Sequence, residues 1–381
     1  MSNEVIQMYD PKREYKTHKV ELDAAINGVL KHGLFINGPE TKSLERELER
    51  FVDVKHAITV SNGTDALKVA LLAVGVKPDD EVITVAHTWI STVEVISLIN
   101  AKPVFCDICP DTFNMDPNKL EKLITNKTKA IMPVSLYGQP SNMNAINDIA
   151  AKYSIPVIED GAQSFGAKYC DKHSGNLSTI GTTSFFPAKP LGGYGDGGAM
   201  FTNDDELADK LRKIKNHGCL KRFQHQYIGM NARMDTLQAA IVGTKLNWYE
   251  ETIVARQKCA EYYNKNIKNE ELLLTLPKVR DDCESVWAQY SLLASTPHVR
   301  NLLVNHLRKN NVNVGIFYPV PLHYQECFEY LNYKKGDLPV TEDVCSRVFN
   351  LPCYGELKKS EQDYIIEVLH SGMEEFTGDL S

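Results

Sequence analysis

The segment Ser184-Phe-Phe-Pro-Ala-Lys-Pro-Leu-Gly-Gly-Tyr-Gly-Asp-Gly-Gly198 carries the residue best suited to nucleophilic chemistry. A lysine is ordinarily a solvated surface cation. Lys189 instead sits between a Phe-Phe-Pro run and Pro190, with a glycine-rich turn following. An apolar, conformationally restricted loop removes solvent from the ammonium, lowers its pKa and leaves a neutral amine that can attack a carbonyl. Gly193, Gly195 and Gly198 also match the dinucleotide pattern G-x-G-x-x-G. That fingerprint must open a helix, whereas Ala199-Met-Phe-Thr202 reads as a strand. The glycines therefore read as a tight turn beside the lysine, and a nicotinamide-dependent enzyme is disfavoured.

Two further segments could meet a ligand. Val60-Ser-Asn-Gly-Thr-Asp-Ala-Leu67 follows an apolar strand and opens an apolar-periodic helix. A helix start offers unpaired N–H groups and a positive dipole end, which places Gly63 and Thr64 to hold a phosphate. The competing reading is an ordinary Asn-Gly turn with a Ser or Thr cap. Ile155-Pro-Val-Ile-Glu-Asp-Gly-Ala-Gln163 is an apolar strand ending in two acids, at the edge where α/β sheets place ligands. Asp160 is the candidate to meet a cation there, against the alternative that it caps the next helix. Cys106 and Cys109 form a lone C-x-x-C without a second pair or a nearby His, so no metal site is expected.

These residues need a scaffold that holds them at one edge. From about residue 56 to 202, short apolar runs alternate with amphipathic stretches: His56 to Val60 then Thr64 to Val74, Glu81 to Val85 then Ser91 to Ile99, Ala130 to Val134 then Met143 to Tyr153. That alternation predicts βαβ units around a mainly parallel sheet. Strands at Ile155 to Glu159, Thr183 to Phe186 and Gly198 to Thr202 continue the series, the last two close enough for a local antiparallel insertion. Helices are expected at Asp204 to Asn216 and Met234 to Glu251. Beyond about residue 252, a helical segment is followed by a strand at Ala288 to Leu293, a helix near Asn301 to Asn310 and a strand near Asn313 to Phe317. This predicts an α/β chain with a large domain over residues 1–250 and a smaller α+β domain over 251–381.

The 381 residues carry a net charge of -7, which gives no electrostatic footing for a nucleic-acid or anionic-membrane partner. Met1 to Asp10 lacks the apolar core of a signal peptide and no stretch is apolar enough to span a membrane, so a cytoplasmic location is expected. Nine singly scattered cysteines agree with a reducing compartment.

The order of these segments resembles the DegT/DnrJ/StrS family of sugar aminotransferases, built on the fold type I aminotransferase plan, over roughly residues 20 to 375. The resemblance extends to Gly38-Pro-Glu40, His87-Thr-Trp89, Leu136-Tyr-Gly-Gln-Pro140, His217-Gly218, Gly229-Met-Asn-Ala-Arg-Met-Asp-Thr-Leu-Gln-Ala-Ala240 and Tyr318-Pro-Val-Pro-Leu-His323. It implies pyridoxal 5'-phosphate as cofactor, Lys189 as its Schiff-base lysine and Asp160 as the partner of its protonated ring nitrogen. It further implies that Gln163 contacts the ring hydroxyl, that Gly63, Thr64 and Ser184 hold the phosphate and that Trp89 stacks on the ring. Asn231 would reach the phosphate of a neighbouring subunit, which implies a homodimer with composite active sites. Arg233, Tyr318 and His323 match segments that approach the substrate, with a structural ion pair and a satisfied histidine behind the loop as the alternatives for Arg233 and His323. Phe317 departs from the family, where many members carry histidine.

The reaction so implied is a ping-pong transfer of an amino group from L-glutamate to a keto-sugar nucleotide, in aminosugar or polysaccharide biosynthesis. The segments Asn176-Leu-Ser-Thr179 and Phe185-Phe-Pro-Ala-Lys-Pro190 look like members that aminate a 3-keto UDP-N-acetylhexosaminuronic acid. Tyr318 to His323 is also shared with members acting on 4-keto-6-deoxy sugars. The rivals are a sugar dehydratase of the same fold, which carries histidine in place of the lysine, and a non-catalytic regulatory member.

Overall fold

The computed structural model describes residues 5–268 and 273–377; the first four residues of the Met1 to Asp10 segment lie outside it. A four-stranded sheet runs in the order His56–Val60, Gly198–Thr202, Ile180–Ser184, Ile158–Asp160, and a three-stranded sheet in the order Lys102–Cys106, Glu81–Val85, Thr128–Ile131. Parallel bridges Ile131 to Val157 and Val134 to Asp160 continue one sheet into the other. Gly198–Thr202 is antiparallel to both its neighbours, while the other ladders of these two sheets are parallel. The antiparallel insertion expected from the close spacing of the two strands is therefore present, and it returns the chain after the lysine loop.

Strands such as Glu81-Val-Ile-Thr-Val85 are buried along their whole length, which β-branched residues tolerate and a parallel sheet covered on both faces demands. On one face, Leu67 and Ala70 of the helix Gly63–Ala73 meet Ile58, Val82, Ile158, Ile180 and Met200. On the other, Leu44 and Leu48 of the helix Pro39–Val52 meet Phe185, Phe201 and Val242. A separate core gathers Tyr263, Tyr290, Leu303, Phe349 and Leu369 around the antiparallel strands Leu274–Thr275, Tyr290–Ala294 and Val348–Leu351. Ile6 joins this C-terminal core and bridges Val312, so the chain's beginning is packed with its end.

Several elements differ from the sequence reading, among them the strands expected at Ile155 to Glu159 and Ala130 to Val134, which lie at Ile158–Asp160 and Thr128–Ile131. Lys102–Cys106 is a strand despite Pro103; it lies at the sheet edge beside Glu81–Val85, where a missing N–H is tolerated. The single helix expected over Met234 to Glu251 divides into Thr236–Leu246 and Tyr249–Asn266, because the chain turns at Asn247–Trp248 and the Trp248 ring stacks on His18 at 3.8 Å. The strand expected at Thr183 to Phe186 lies earlier, at Ile180–Ser184, and Phe185 already belongs to the loop. Asn313 to Phe317 is not a strand: Gly315 makes an isolated bridge to Asn350, and the Phe317 N–H donates to Asn350 Oδ1 at 3.1 Å.

Glu159 and Asp160 end the same strand and point to opposite sides of it. Glu159 is fully buried and accepts from Ser135 Oγ at 2.7 Å, Ser174 Oγ at 2.8 Å and the Gly175 N–H at 2.7 Å, tying the strand to the loop beneath it. Removing the carboxylate leaves the Ser135 hydroxyl and the Gly175 N–H without this acceptor, while Ser174 keeps Ser164 at 2.7 Å, so Glu159→Ala is expected to lower unfolding stability by about 2–4 kcal/mol. Urea denaturation monitored by circular dichroism checks this, and an unchanged midpoint would contradict the structural role.

Candidate active site

Asp160 emerges at the sheet edge with its carboxylate buried. Thr92 Oγ1 donates to Oδ2 at 2.7 Å and the Ala162 N–H to Oδ1 at 3.2 Å. Burial pushes the Asp160 pKa up, while these two hydrogen bonds and the positive charge of Lys189 pull the other way. Burial likewise pushes Lys189 down from the ordinary lysine value, and Asp160 opposes it. The two groups are therefore electrostatic neighbours, each short of solvent.

The loop that presents Lys189 is closed on itself. The Phe185 N–H donates to Gly197 O at 2.8 Å, the Gly193 N–H to Phe185 O at 2.7 Å and the Lys189 N–H to Phe186 O at 2.8 Å. Next to it, the helix Gly63–Ala73 starts directly after the strand His56–Val60, capped by Asn62, whose Oδ1 accepts from the Asp65 N–H at 2.7 Å. The cap is thus Asn62, not a Ser or Thr. A Cβ on Gly63 would lie 2.8 Å from Ser184 Cβ, so only glycine lets the helix start close on the end of Ile180–Ser184. Thr64 Oγ1 and Ser91 Oγ are 2.8 Å apart. Hydroxyl groups of Ser184, Thr64 and Ser91 thus gather at a helix start, the chemistry of an anion site.

The remaining wall comes from three other segments. Gln163 Oε1 accepts from the Tyr137 N–H at 2.9 Å, and its Nε2 donates to Tyr318 Oη at 3.2 Å. The Tyr318 ring lies 6.1 Å from that of Trp89, which is 58% exposed. His87 anchors this arrangement from behind: burial pushes its pKa down to about 3, so the ring is neutral. Its Nε2 meets Tyr137 Oη at 2.9 Å and its Nδ1 meets Cys345 Sγ at 3.1 Å, while the Tyr137 hydroxyl donates to Phe317 O. The backbone that carries Tyr318 is thereby tied to the strand end that carries Trp89.

The structure thus brings Gly63, Thr64, Trp89, Asp160, Gln163, Ser184, Lys189 and Tyr318 to one region. Asn231 and Arg233 touch none of these residues directly: Asn231 is exposed, and Arg233 Nε donates to Asn231 Oδ1 at 3.0 Å and Nη1 to Asn216 Oδ1 at 3.2 Å, while Ala232 between them accepts from the Ser61 N–H at 3.2 Å. His323 is turned away, buried with Nε2 3.3 Å from Glu342 Oε1 and its ring near Phe105 and Tyr333. Sequence reading missed Thr92, Ser91 and Tyr137. Ser91 opens the helix Ser91–Leu98, and nothing in the sequence pointed from it to Thr64, from Thr92 to Asp160 or from Tyr137 to Gln163.

The model of the DegT/DnrJ/EryC1/StrS aminotransferase family matches residues 16–370, and the chain belongs to that family. A Pseudomonas aeruginosa relative named UDP-2-acetamido-2-deoxy-3-oxo-D-glucuronate aminotransferase is 47% identical over 350 residues, covering 92% of this chain and 95% of its own. A Geobacillus stearothermophilus relative named pleiotropic regulatory protein is 42% identical over 364 residues, covering 95% and 97%. The crystal structure of NtdA from Bacillus subtilis with bound cofactor PMP superposes with a TM-score of 0.91 at 30% identity, covering 98% of this chain and 86% of that one.

The protein is a pyridoxal-phosphate-dependent aminotransferase. Its residues fit that cofactor: a glycine cradle lined by hydroxyls for the phosphate, a buried carboxylate in need of a cation for the ring nitrogen, and a desolvated lysine for the aldehyde.

Two outcomes follow from this geometry. Gly63→Ala is expected to weaken cofactor binding at least about tenfold, or about 1.4 kcal/mol, by equilibrium titration; full affinity would contradict the cradle. In the cofactor-free protein, Lys189 should acylate with a pH midpoint below that of surface lysines. Because the Asp160 charge favours the ammonium, Asp160→Asn should move that midpoint lower still, read by mass spectrometry of the Lys189 peptide; a rise would contradict the coupling.

Proposed function

We propose that this chain transfers the amino group of L-glutamate to a keto-sugar nucleotide in aminosugar or polysaccharide biosynthesis, working as a homodimer in the cytoplasm. The observation that carries the chemistry is the half-buried, desolvated Lys189 beside the buried Asp160 and the hydroxyl-lined helix start. The acceptor favoured is a UDP-linked 3-keto N-acetylhexosaminuronic acid, supported by the 47% identity to a relative named for that substrate class. A dTDP-linked 4-keto-6-deoxyhexose is the other candidate.

When bound, pyridoxal phosphate supplies an aldehyde that carries the amino group and a ring that takes up the electron pair released at the substrate carbon. In this reading Asp160 keeps the ring nitrogen protonated, which its burial makes energetically useful, since a cation brought to it offsets the cost of its charge. The phosphate is held by the helix start at Gly63 and Thr64 and by Ser184. Gln163 reaches the ring hydroxyl through Nε2, its other end fixed by Tyr137. Trp89 covers a ring face. Lys189, whose pKa desolvation lowers, takes a proton from the carbon bearing the amine and returns it on the far side of the transfer.

Asn231 and Arg233 are assigned to the site of the second subunit, in keeping with the exposure of Asn231. The exposed side chains of Leu34, Phe35, Ile36, Phe223 and Ile228 support a second copy as their cover. Tyr318 faces the substrate. His323 is instead assigned to anchor that segment, because its ring is directed at Glu342. The division of the chain near residue 250 belongs to the same proposal, supported by the separate core around Tyr290 and Phe349.

The dehydratase reading is disfavoured by Lys189. The regulatory reading is kept by the name of the 42% identical relative, and turnover separates the two. Purified protein supplied with pyridoxal phosphate, L-glutamate and each keto-sugar nucleotide is expected to yield 2-oxoglutarate and an aminosugar detectable by mass. Lys189→Ala should lower that rate by at least about a thousandfold with its circular dichroism unchanged. Amination of neither acceptor, or native turnover by Lys189→Ala, would overturn the proposal.

A further inference from the structure

The far side of the lysine loop is held by a buried ion pair that reaches back to the start of the chain. Lys245, on the helix Thr236–Leu246, is buried, and its Nζ donates to Gly192 O at 2.6 Å. The same ammonium lies 2.6 Å from Glu14 Oε2, on the short helix Pro11–Thr17. Glu14 is buried as well. The ammonium also sits 5.2 Å from the centre of the Tyr194 ring, which meets Tyr15 edge-on at 6.2 Å. Next to Gly192, the Tyr194 N–H donates to Gln238 Oε1 at 2.9 Å. Arg256 and Glu356 are the charged groups that face this cluster from the C-terminal side, together with the phenol of Tyr9.

Gly192 is not a remote part of the loop. A Cβ there would lie 2.4 Å from Pro187 O and 2.8 Å from Phe186 O, so the chain folds back on the turn that carries Lys189. The Gly193 N–H closes the loop on Phe185 O at 2.7 Å. Any displacement of Gly192 must therefore move Pro187 and, two residues on, Lys189. A neutral donor would satisfy the Gly192 carbonyl with less desolvation than a buried charge pair. What the pair adds is a fixed junction between three segments distant in sequence. The Pro11–Thr17 helix is itself held by Arg13, whose guanidinium makes paired hydrogen bonds of 2.7 and 2.6 Å to Glu361 on the C-terminal helix Lys359–Thr377.

We propose that Lys245 and Glu14 are positioning residues for Lys189, holding the Gly192 side of its loop so that the ε-amine stays shielded from water beside the charge of Asp160. This rests on the reading of Lys189 as the cofactor lysine. Without the clamp the loop opens, water reaches the amine and its charged form gains.

The test uses the full-length protein without cofactor. Two quantities are read: hydrogen exchange of the peptide spanning Gly192–Asp196, and the pH midpoint of Lys189 acylation. The double variant Glu14→Gln/Lys245→Met removes both charges together, so that neither is left buried alone. It should speed exchange of that peptide by about tenfold and raise the Lys189 midpoint by about one unit. Arg13→Met loosens the same helix at its other anchor and should change neither quantity comparably. An unaltered loop and midpoint in the folded double variant would overturn the proposal, as would an equal shift in Arg13→Met, which would reduce the effect to helix docking. If the double variant does not fold, Glu14→Gln alone should shift both quantities in the same direction by a smaller amount, and no shift would overturn the proposal. The cofactor reading fails separately: unsubstituted protein supplied with pyridoxal phosphate would then develop no visible band, whatever the loop does.

Discussion

A desolvated amine and a buried carboxylate, each costly to charge without the other, are the constraint around which this structure is arranged. Lys189 loses solvation in its loop and Asp160 loses it at the end of a central strand, and each moderates the other's shift. An amine with a lowered pKa is more readily available to attack carbonyls, and a carboxylate short of a counter-charge attracts a protonated ring nitrogen. Both properties come from exclusion of water, so they last only as long as the surrounding elements hold their places.

Those elements divide the work by their geometry. The alternation of the strand Ile158–Asp160 sends Asp160 to the site and Glu159 into a satisfied network of Ser135, Ser174 and Gly175, so two adjacent acids do different jobs. The antiparallel strand Gly198–Thr202 brings the chain back beside Ile180–Ser184, which makes the intervening residues a closed loop instead of a long crossover. The Gly63 close approach sets the helix start against Ser184. Behind the aromatic wall, neutral His87 links Tyr137, Cys345 and, through Tyr137, the backbone of Phe317, so that Tyr318 and Gln163 face each other.

Much of this was legible in the sequence because it rests on local chemistry. The strand positions His56–Val60, Glu81–Val85 and Gly198–Thr202, the glycine turn after Lys189 and the helix start at Gly63 are all written in short-range patterns. What could not be read depends on contacts across many residues. Thr92 reaches Asp160 from 68 positions away, and Lys245 reaches Gly192 from 53. Pro103 hid an edge strand because its tolerance there depends on which neighbour is missing, which only the strand order decides. His323 carried a substrate-like motif, yet packing turned it to Glu342. Asn231 and Arg233 are placed only by resemblance, because no local pattern in the sequence points from them to the site.

The central claim is that the desolvated Lys189 holds pyridoxal phosphate and passes an amino group through it. The absorption spectrum of the protein loaded with pyridoxal phosphate, recorded before and after L-glutamate, tests this most directly. The account predicts a visible band that disappears on adding glutamate and is missing from Lys189→Ala. A loaded protein with no visible band, or one whose band is unmoved by glutamate and by every other amino donor, would contradict it.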